Sequence, residues 1–235
     1  CALPICIPFM LSLILVGVGL YIQLSIEETP TFRKLQAENK IEKAPLREVI
    51  KRQPKEIILS AFLRMVEQAP YYIFTTFVLA YGTQQLKIDR NFLLTAVLAA
   101  AAGDFLWIPL SGWLSDKIGR RRMYLIGTVT VAVFGVVYFA LLNTGIPALI
   151  FIAIMFSLLP HGMVYGPQAA MIAESFTGRL RYSGSSLGYQ LASIIAGGPA
   201  PLIATALFAQ YNSAYAISAY IVFCAVCSFV AAILL

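Results

Sequence analysis

Charge is scarce in this chain. Of its 235 residues only 12% are Asp, Glu, Lys or Arg, and 60% are apolar. A soluble domain carries about 25% charge, so the surplus of apolar side chains has nowhere to go but lipid, and a water-soluble globular protein is excluded. Histidine is scarcer still, with His161 the only one. One imidazole is a poor basis for a metal-ligand cluster or a nucleophile–base pair, so a membrane enzyme is disfavoured and no catalytic residue, metal or cofactor is expected. Cysteine gives no framework either. Cys1, Cys6, Cys224 and Cys227 all lie in apolar runs. The C-x-x-C spacing of the last two has no second pair or histidine to complete a zinc site, which leaves small packing residues. The net charge of +6 does not imply nucleic acid, because 14 of the 17 Lys and Arg residues sit in three alternate loops. That placement is a topology signal.

What is present is a series of long hydrophobic runs. A membrane-spanning helix needs about 20 apolar residues. By that measure seven spans are expected, near 3–25, 56–82, 92–113, 123–142, 147–172, 184–209 and 213–235. The first lacks the basic start and short apolar core of a signal peptide. It begins almost at Cys1, which suggests a piece of a longer chain. Residues 26–55 form a charged connector broken by Pro30, Pro45 and Pro54, in which Leu46, Val49 and Ile50 have the spacing of a short amphipathic helix. The loops 26–55, 114–122 and 173–183 hold eight, four and two Lys or Arg, and the opposite loops almost none. The basic loops are therefore expected on the cytoplasmic side.

Charges inside spans are costly and functional by default. Arg64 lies nine residues past Lys55, about 13 Å along a helix. Glu67 is one turn on. Asp104 and His161 fall about 18 and about 20 Å from the cytoplasmic ends of their own helices. Four ionisable groups thus reach similar depth on three helices. Arg64, Glu67, Gln68, Tyr71 and Thr75 make one polar stripe, His161, Tyr165 and Gln168 a second, and Ser183, Ser186 and Gln190 a third. Three such stripes suggest a wet cavity. Arg64, Tyr71, Tyr72, Tyr165, Gln168 and Gln190 are the candidate substrate contacts, with Arg64 suited to a carboxylate. Glu67, Asp104 and His161 are the candidate proton carriers. Mutual neutralisation of Arg64 and Glu67, and a purely structural His161, stay open as alternatives. Pro70 and Pro160 interrupt the first helix of each of two three-helix sets, and such paired interruptions point to a transport site.

The most specific motif is Gly112-Trp113-Leu114-Ser115-Asp116-Lys117-Ile118-Gly119-Arg120-Arg121-Arg122 between two apolar runs. It resembles the loop signature of the major facilitator superfamily. Further blocks are similar to those of its metabolite:proton symporter family: Glu27-Glu28-Thr29-Pro30-Thr31-Phe32, Gly166-Pro167-Gln168-Ala169-Ala170, Glu174-Ser175-Phe176, Arg179-Leu180-Arg181-Tyr182-Ser183-Gly184, Leu187-Gly188-Tyr189-Gln190 and Gly197-Gly198-Pro199. Thr177 stands where many members have proline. The resemblance implies an all-α membrane protein, the C-terminal six-helix bundle of a major facilitator fold, built as inverted three-helix repeats, plus the preceding helix. On that reading residues 1–25 are the last helix of the N-terminal half, 26–55 the cytoplasmic connector and 56–235 the transport bundle. It further implies proton-coupled symport of a small metabolite, an organic acid or a zwitterionic osmolyte, across a bacterial inner membrane. The expected partners are substrate, proton, lipid bilayer and the N-terminal half of the same transporter. Gly112, Asp116, Gly119, Arg120, Arg121, Glu174 and Arg181 would then form a gating cluster that latches the inner side. A seven-helix receptor or sensor is the alternative that span counting alone leaves.

Overall fold

In the computed structural model the described residues are 3–25 and 45–235, and among them every regular element is helical. The chain divides into two units, Cys1–Lys43 and Ala44–Leu235. In the first, α1 (Leu3–Ser25) is a single helix of apolar residues. The remainder of the expected connector up to residue 44 lies outside the described residues.

The second unit begins with α2 (Pro45–Arg52). Of its three apolar residues only Val49 is buried, while Leu46 and Ile50 stay exposed, so the anticipated apolar face reduces to one anchor. The span expected at 56–82 is a broken helical run: α3 (Pro54–Leu63), α4 (Met65–Tyr72), a π-helical turn (Ile73–Phe77) and α5 (Val78–Gln84). Pro70 lacks the N–H that a continuous ladder needs, and a wide turn follows it within one helical turn. Next come α6 (Arg90–Ile118) and α7 (Arg120–Leu142). Asp89 caps α6 by accepting from the N–H groups of Asn91 at 2.9 Å and Phe92 at 3.1 Å. Gly119 ends it at φ 98°, a conformation that favours glycine, and α7 starts at the next residue. Then α8 (Pro147–Phe156) and α9 (Leu158–Ser175) meet at Ser157, three residues before Pro160. After α10 (Arg181–Ala192) a second π-helical turn (Ser193–Gly197) leads to α11 (Ala200–Tyr211), and α12 (Ala214–Leu234) closes the described chain.

Among the described residues five helical runs are long and apolar enough to cross a membrane: Arg90–Ile118, Arg120–Leu142, Pro147–Ser175, Arg181–Tyr211 and Ala214–Leu234. The Pro54–Gln84 run, which carries Lys55, Glu56, Arg64 and Glu67, is not among them. Large apolar side chains point outward from these helices; Phe105 is 78% exposed and Leu202 74%, as expected of surfaces bathed in acyl chains. Inside, small residues set the spacing. A Cβ on Gly127 of α7 would meet Met163 and Val164 of α9, and one on Gly135 would meet Ile221 of α12. Ser218 of α12 donates to the Gly135 carbonyl at 2.9 Å. Gly188 of α10 lies against Ser60 of α3.

Candidate functional site

The site grows from the break between α3 and α4. Arg64 stands at that break with φ −83° and ψ −8°, the sparsely populated bridge between helix and strand. Its N–H is shared between the carbonyls of Ser60 at 3.3 Å and Ala61 at 3.2 Å. The Glu67 N–H turns to Arg64 O at 3.2 Å, where an unbroken helix would use Leu63 O. Leu63 O instead accepts from the Tyr124 hydroxyl of α7. Ser228 of α12 fills the next gap: its hydroxyl donates to Phe62 O at 2.7 Å and accepts from Val66 N–H at 2.9 Å. A side chain inserted in the ladder is a recognised cause of a helix bend.

From this break Arg64 and Glu67 turn inward. Arg64 Nη2 donates to Glu67 Oε2 at 2.7 Å, and Nε to the same oxygen at 3.1 Å. Nε also reaches Gln168 Oε1 on α9 at 3.3 Å, and Nη1 reaches Tyr189 O on α10, also at 3.3 Å. The guanidinium carbon lies 3.9 Å from the centre of the Tyr189 ring, a cation–π distance. Glu67 offers its other oxygen to His161: Oε1 is 3.8 Å from Nε2. The opposite ring nitrogen, Nδ1, is 3.0 Å from Asp104 Oδ2 on α6. Arg64, Glu67, His161 and Asp104 therefore form one chain of charge across the α3–α4 break and three helices, α4, α9 and α6, and each side chain is 8% exposed or less. Counting Arg64 as +1 and each carboxylate as −1, the chain is neutral when it holds one proton on His161.

These groups line a cavity of about 330 Å³ together with Gln68, Tyr71, Tyr72, Ile108 and Tyr165. His161 is stacked on Tyr165, centroids 5.4 Å apart, and lies 5.0 Å from the Tyr71 ring. Two buried polar atoms at the site have no partner among the described residues, Asp104 Oδ1 and Gln168 Nε2. An unpartnered acceptor and an unpartnered donor suit a site that handles a polar ligand and a proton.

The cavity gathers some of the expected residues and leaves others out. Arg64, Tyr71, Tyr72, Tyr165, Glu67, Asp104 and His161 line the cavity, and Gln168 touches it through Arg64. Thr75 folds back onto Tyr71 O at 2.6 Å. Gln190 is exposed on α10 and does not line the cavity, and neither do Ser183 and Ser186; helical spacing gave the stripe but not the face it turns to. Tyr189, one residue earlier, makes the contact instead.

The candidate gating residues separate as well. Arg120 bonds Asp116 Oδ1 through Nε at 3.1 Å and Nη2 at 3.0 Å, and its Nη1 bonds Glu174, so three helices join at one guanidinium. Arg121 does not enter this cluster; its Nη2 donates to Ile233 O at 2.6 Å, at the last turn of α12. Arg181 starts α10, exposed and without an ion pair among the described residues. Gly112 is not the close-contact glycine either, since a Cβ there would sit 3.8 Å from Gly166 O. The tight positions are Gly162 and Gly166 on α9. A Cβ on Gly166 would meet Gly112 N at 2.8 Å and Ile108 O at 3.1 Å, and one on Gly162 would meet Trp107 and Asp104. Ser111 donates to Gly162 O at 2.5 Å and Trp107 Nε1 to Leu159 O at 2.8 Å. This pair was not singled out from the sequence, although its G-x-x-x-G spacing was a signal; it holds α9 on α6 at the place where His161 meets Asp104. Thr177, at the expected proline position, anchors α2 and α3 by bonding Gln53 Oε1 through its N–H at 3.3 Å and its hydroxyl at 3.0 Å.

Comparison with known proteins supplies the family. Residues 23–235 match the family model described as sugar (and other) transporter. The shikimate transporter of Escherichia coli (strain K12) is 35% identical over 208 residues, 87% of this chain and 48% of the relative. The inner membrane metabolite transport protein YhjE of the same organism is 32% identical over 211 residues, 88% of this chain and 48% of the relative. The glycine betaine/proline/ectoine/pipecolic acid transporter OusA of Dickeya dadantii (strain 3937) is 28% identical over 229 residues, 94% of this chain and 46% of the relative. No solved structure matches. The chain spans about half the length of the curated relatives it matches, and these relatives are transporters rather than enzymes. With a match over nearly its whole length and an all-helical body of apolar spans, the chain belongs to the sugar (and other) transporter family of the major facilitator superfamily.

Proposed function

We propose that this chain is the C-terminal transport half of a twelve-helix secondary transporter that couples a proton to the movement of a small metabolite by alternating access. The observation that carries the reading is the buried charge chain Arg64–Glu67–His161–Asp104 along one wall of the cavity. Unneutralised charge within a bilayer is expensive, so such a chain persists where it serves transport. Arg64 offers a forked donor set for a substrate carboxylate. Glu67 occupies that fork when no substrate is present. His161, between two carboxylates, is the place where one proton neutralises the group. Tyr71, Tyr72 and Tyr165 give the cavity amphipathic walls that suit an organic acid or a zwitterionic osmolyte, in keeping with the names of the relatives.

In this account residues 1–25 are the last helix of an N-terminal half, 26–55 the connector on the cytoplasmic side and 56–235 the six-helix bundle. The N-terminal half would close the open side of the cavity, and the protein resides in a bacterial inner membrane, as YhjE does by its name. The cluster of Asp116, Arg120 and Glu174 latches the cytoplasmic end.

The test is transport by the full-length protein in proteoliposomes, with radiolabelled shikimate, proline and glycine betaine as probes. An imposed pH gradient, alkaline inside, should drive accumulation of at least one probe, and Arg64→Lys should cut that uptake at least tenfold. Gradient-independent uptake of all three contradicts the coupling. Unchanged uptake in Arg64→Lys contradicts the role of the arginine.

A further inference from the structure

The ladder break at Arg64 is held open from outside its own helix. The two groups that hold it, Ser228 on α12 and Tyr124 on α7, line no part of the cavity and carry no charge. Both are fully buried, at 0% exposure. Ser228 is also fully employed. Its one proton goes to Phe62 O and its lone pair takes the Val66 N–H, the two backbone groups that an unbroken α-helix would pair with each other. Tyr124 takes Leu63 O, which an unbroken helix would pair with the Glu67 N–H. Two consecutive rungs of the ladder are therefore replaced by two hydroxyls from two different helices. Arg64 lies inside both rungs, and Glu67 supplies the N–H of the second.

We propose that Ser228 and Tyr124 are positioning residues for substrate binding: by keeping the α3–α4 ladder open they hold the Arg64 guanidinium between Gln168, Tyr189 and Glu67. The inference rests on Arg64 meeting the substrate. Its physical content is a choice between two satisfied states. With the hydroxyls present, Phe62 O, Val66 N–H and Leu63 O are paired through side chains, the Glu67 N–H turns to Arg64 O, and Arg64 sits in the bridge conformation. Without the Ser228 hydroxyl, Val66 N–H and Phe62 O pair with each other so that neither is left unsatisfied, the helix closes up, and Arg64 and Glu67 rotate about its axis. A serine that served only packing would tolerate any side chain of its size.

Four variants of the full-length protein separate these cases, each read as the apparent affinity for whichever of shikimate, proline and glycine betaine the wild type transports best. Ser228→Ala should weaken affinity about tenfold, the size of effect expected when one charge-assisted hydrogen bond is misaligned. Ser228→Cys keeps the volume but is a weak hydrogen-bonding group, and it should behave like the alanine variant. Ser228→Thr keeps the hydroxyl and should restore affinity. Tyr124→Phe removes the second hydroxyl alone and should weaken affinity in the same direction. Wild-type affinity in Ser228→Ala, or in Ser228→Cys, overturns the proposal. A double-mutant cycle with Arg64→Lys ties the effect to its target. In the Arg64→Lys background Ser228→Ala should add no further loss. If Arg64→Lys weakens affinity and Ser228→Ala still adds its full tenfold, the positioning role is wrong while the substrate role of Arg64 stands. If Arg64→Lys binds as the wild type does, it is the substrate role itself that falls.

Discussion

Asp104 and His161 stand on different helices, and their side chains meet at 3.0 Å, Oδ2 to Nδ1. The meeting is set by backbone, not by charge. Gly162 and Gly166 bring α9 so near α6 that a Cβ on either has no room, and Ser111 and Trp107 bond across the same seam. An imidazole one residue before Gly162 is then delivered to the carboxylate on the opposite helix.

That seam makes a first prediction. Gly166→Ala should destabilise the protein by ~1–3 kcal/mol, because the new methyl group meets backbone atoms that cannot rotate away. Gly112→Ala should be nearly neutral, since its nearest neighbour is at ordinary contact distance. Thermal unfolding in detergent compares the two. Equal melting temperatures would show that the seam has slack.

A second prediction concerns the bridge made by His161. Glu67 divides its oxygens between Arg64 and His161. A proton on His161 draws Glu67 toward itself and removes one negative charge from the net count, so both effects favour an incoming carboxylate. His161→Gln should therefore bind substrate weakly at every pH tested. Adding Glu67→Gln should restore binding, because Arg64 then has no resident carboxylate to displace. Titrating affinity against pH for both variants gives the answer; a double variant as weak as His161→Gln would leave His161 a packing residue.

Much of this arrangement was legible in the residues, and the reason for the remainder is physical. Hydropathy finds the spans because lipid selects composition over long stretches. The depths of Arg64, Glu67, Asp104 and His161 followed from counting residues along helices, and the cavity brings all four together. What counting could not give is rotation. The third stripe turned away from the cavity and Tyr189 took the place expected of Gln190, because the facing of α10 depends on Gly188 lying against Ser60. Ser228 and Tyr124 were out of reach for a different reason. They act on backbone groups more than 60 residues away in the chain, and nothing in their own neighbourhood marks them. The bond of Arg121 to the carbonyl end of α12 was out of reach too, because in sequence this residue looks like any other arginine of a basic loop.

The cytoplasmic cluster carries a third prediction. Arg120 joins Asp116 and Glu174 at the surface, where ion pairs are worth about 0–1 kcal/mol each. Asp116→Asn should therefore fold and insert normally. Its effect should appear in the balance between conformations, as faster labelling from the cytoplasmic side of a cysteine placed at Ile108, which lines the cavity. Labelling and transport at wild-type rates would reduce the loop to a topology signal.

Orientation gives a fourth. A cysteine at Arg179 should resist a membrane-impermeant thiol reagent in whole cells, whereas one at Thr144, in the turn between α7 and α8, should react. Both positions are exposed, so access alone separates them. Reaction at Arg179 and protection at Thr144 would invert the topology.

The central claim is that the charge chain from Arg64 to Asp104 moves a proton together with the substrate. Its most direct test is the pH of a lightly buffered suspension of de-energised cells that express the full-length protein, recorded as the transported metabolite is added. A transient alkalinisation is expected with the wild type. With Asp104→Asn the alkalinisation should vanish while exchange of labelled for unlabelled substrate continues. An undiminished alkalinisation in Asp104→Asn, Glu67→Gln and His161→Gln alike would contradict it.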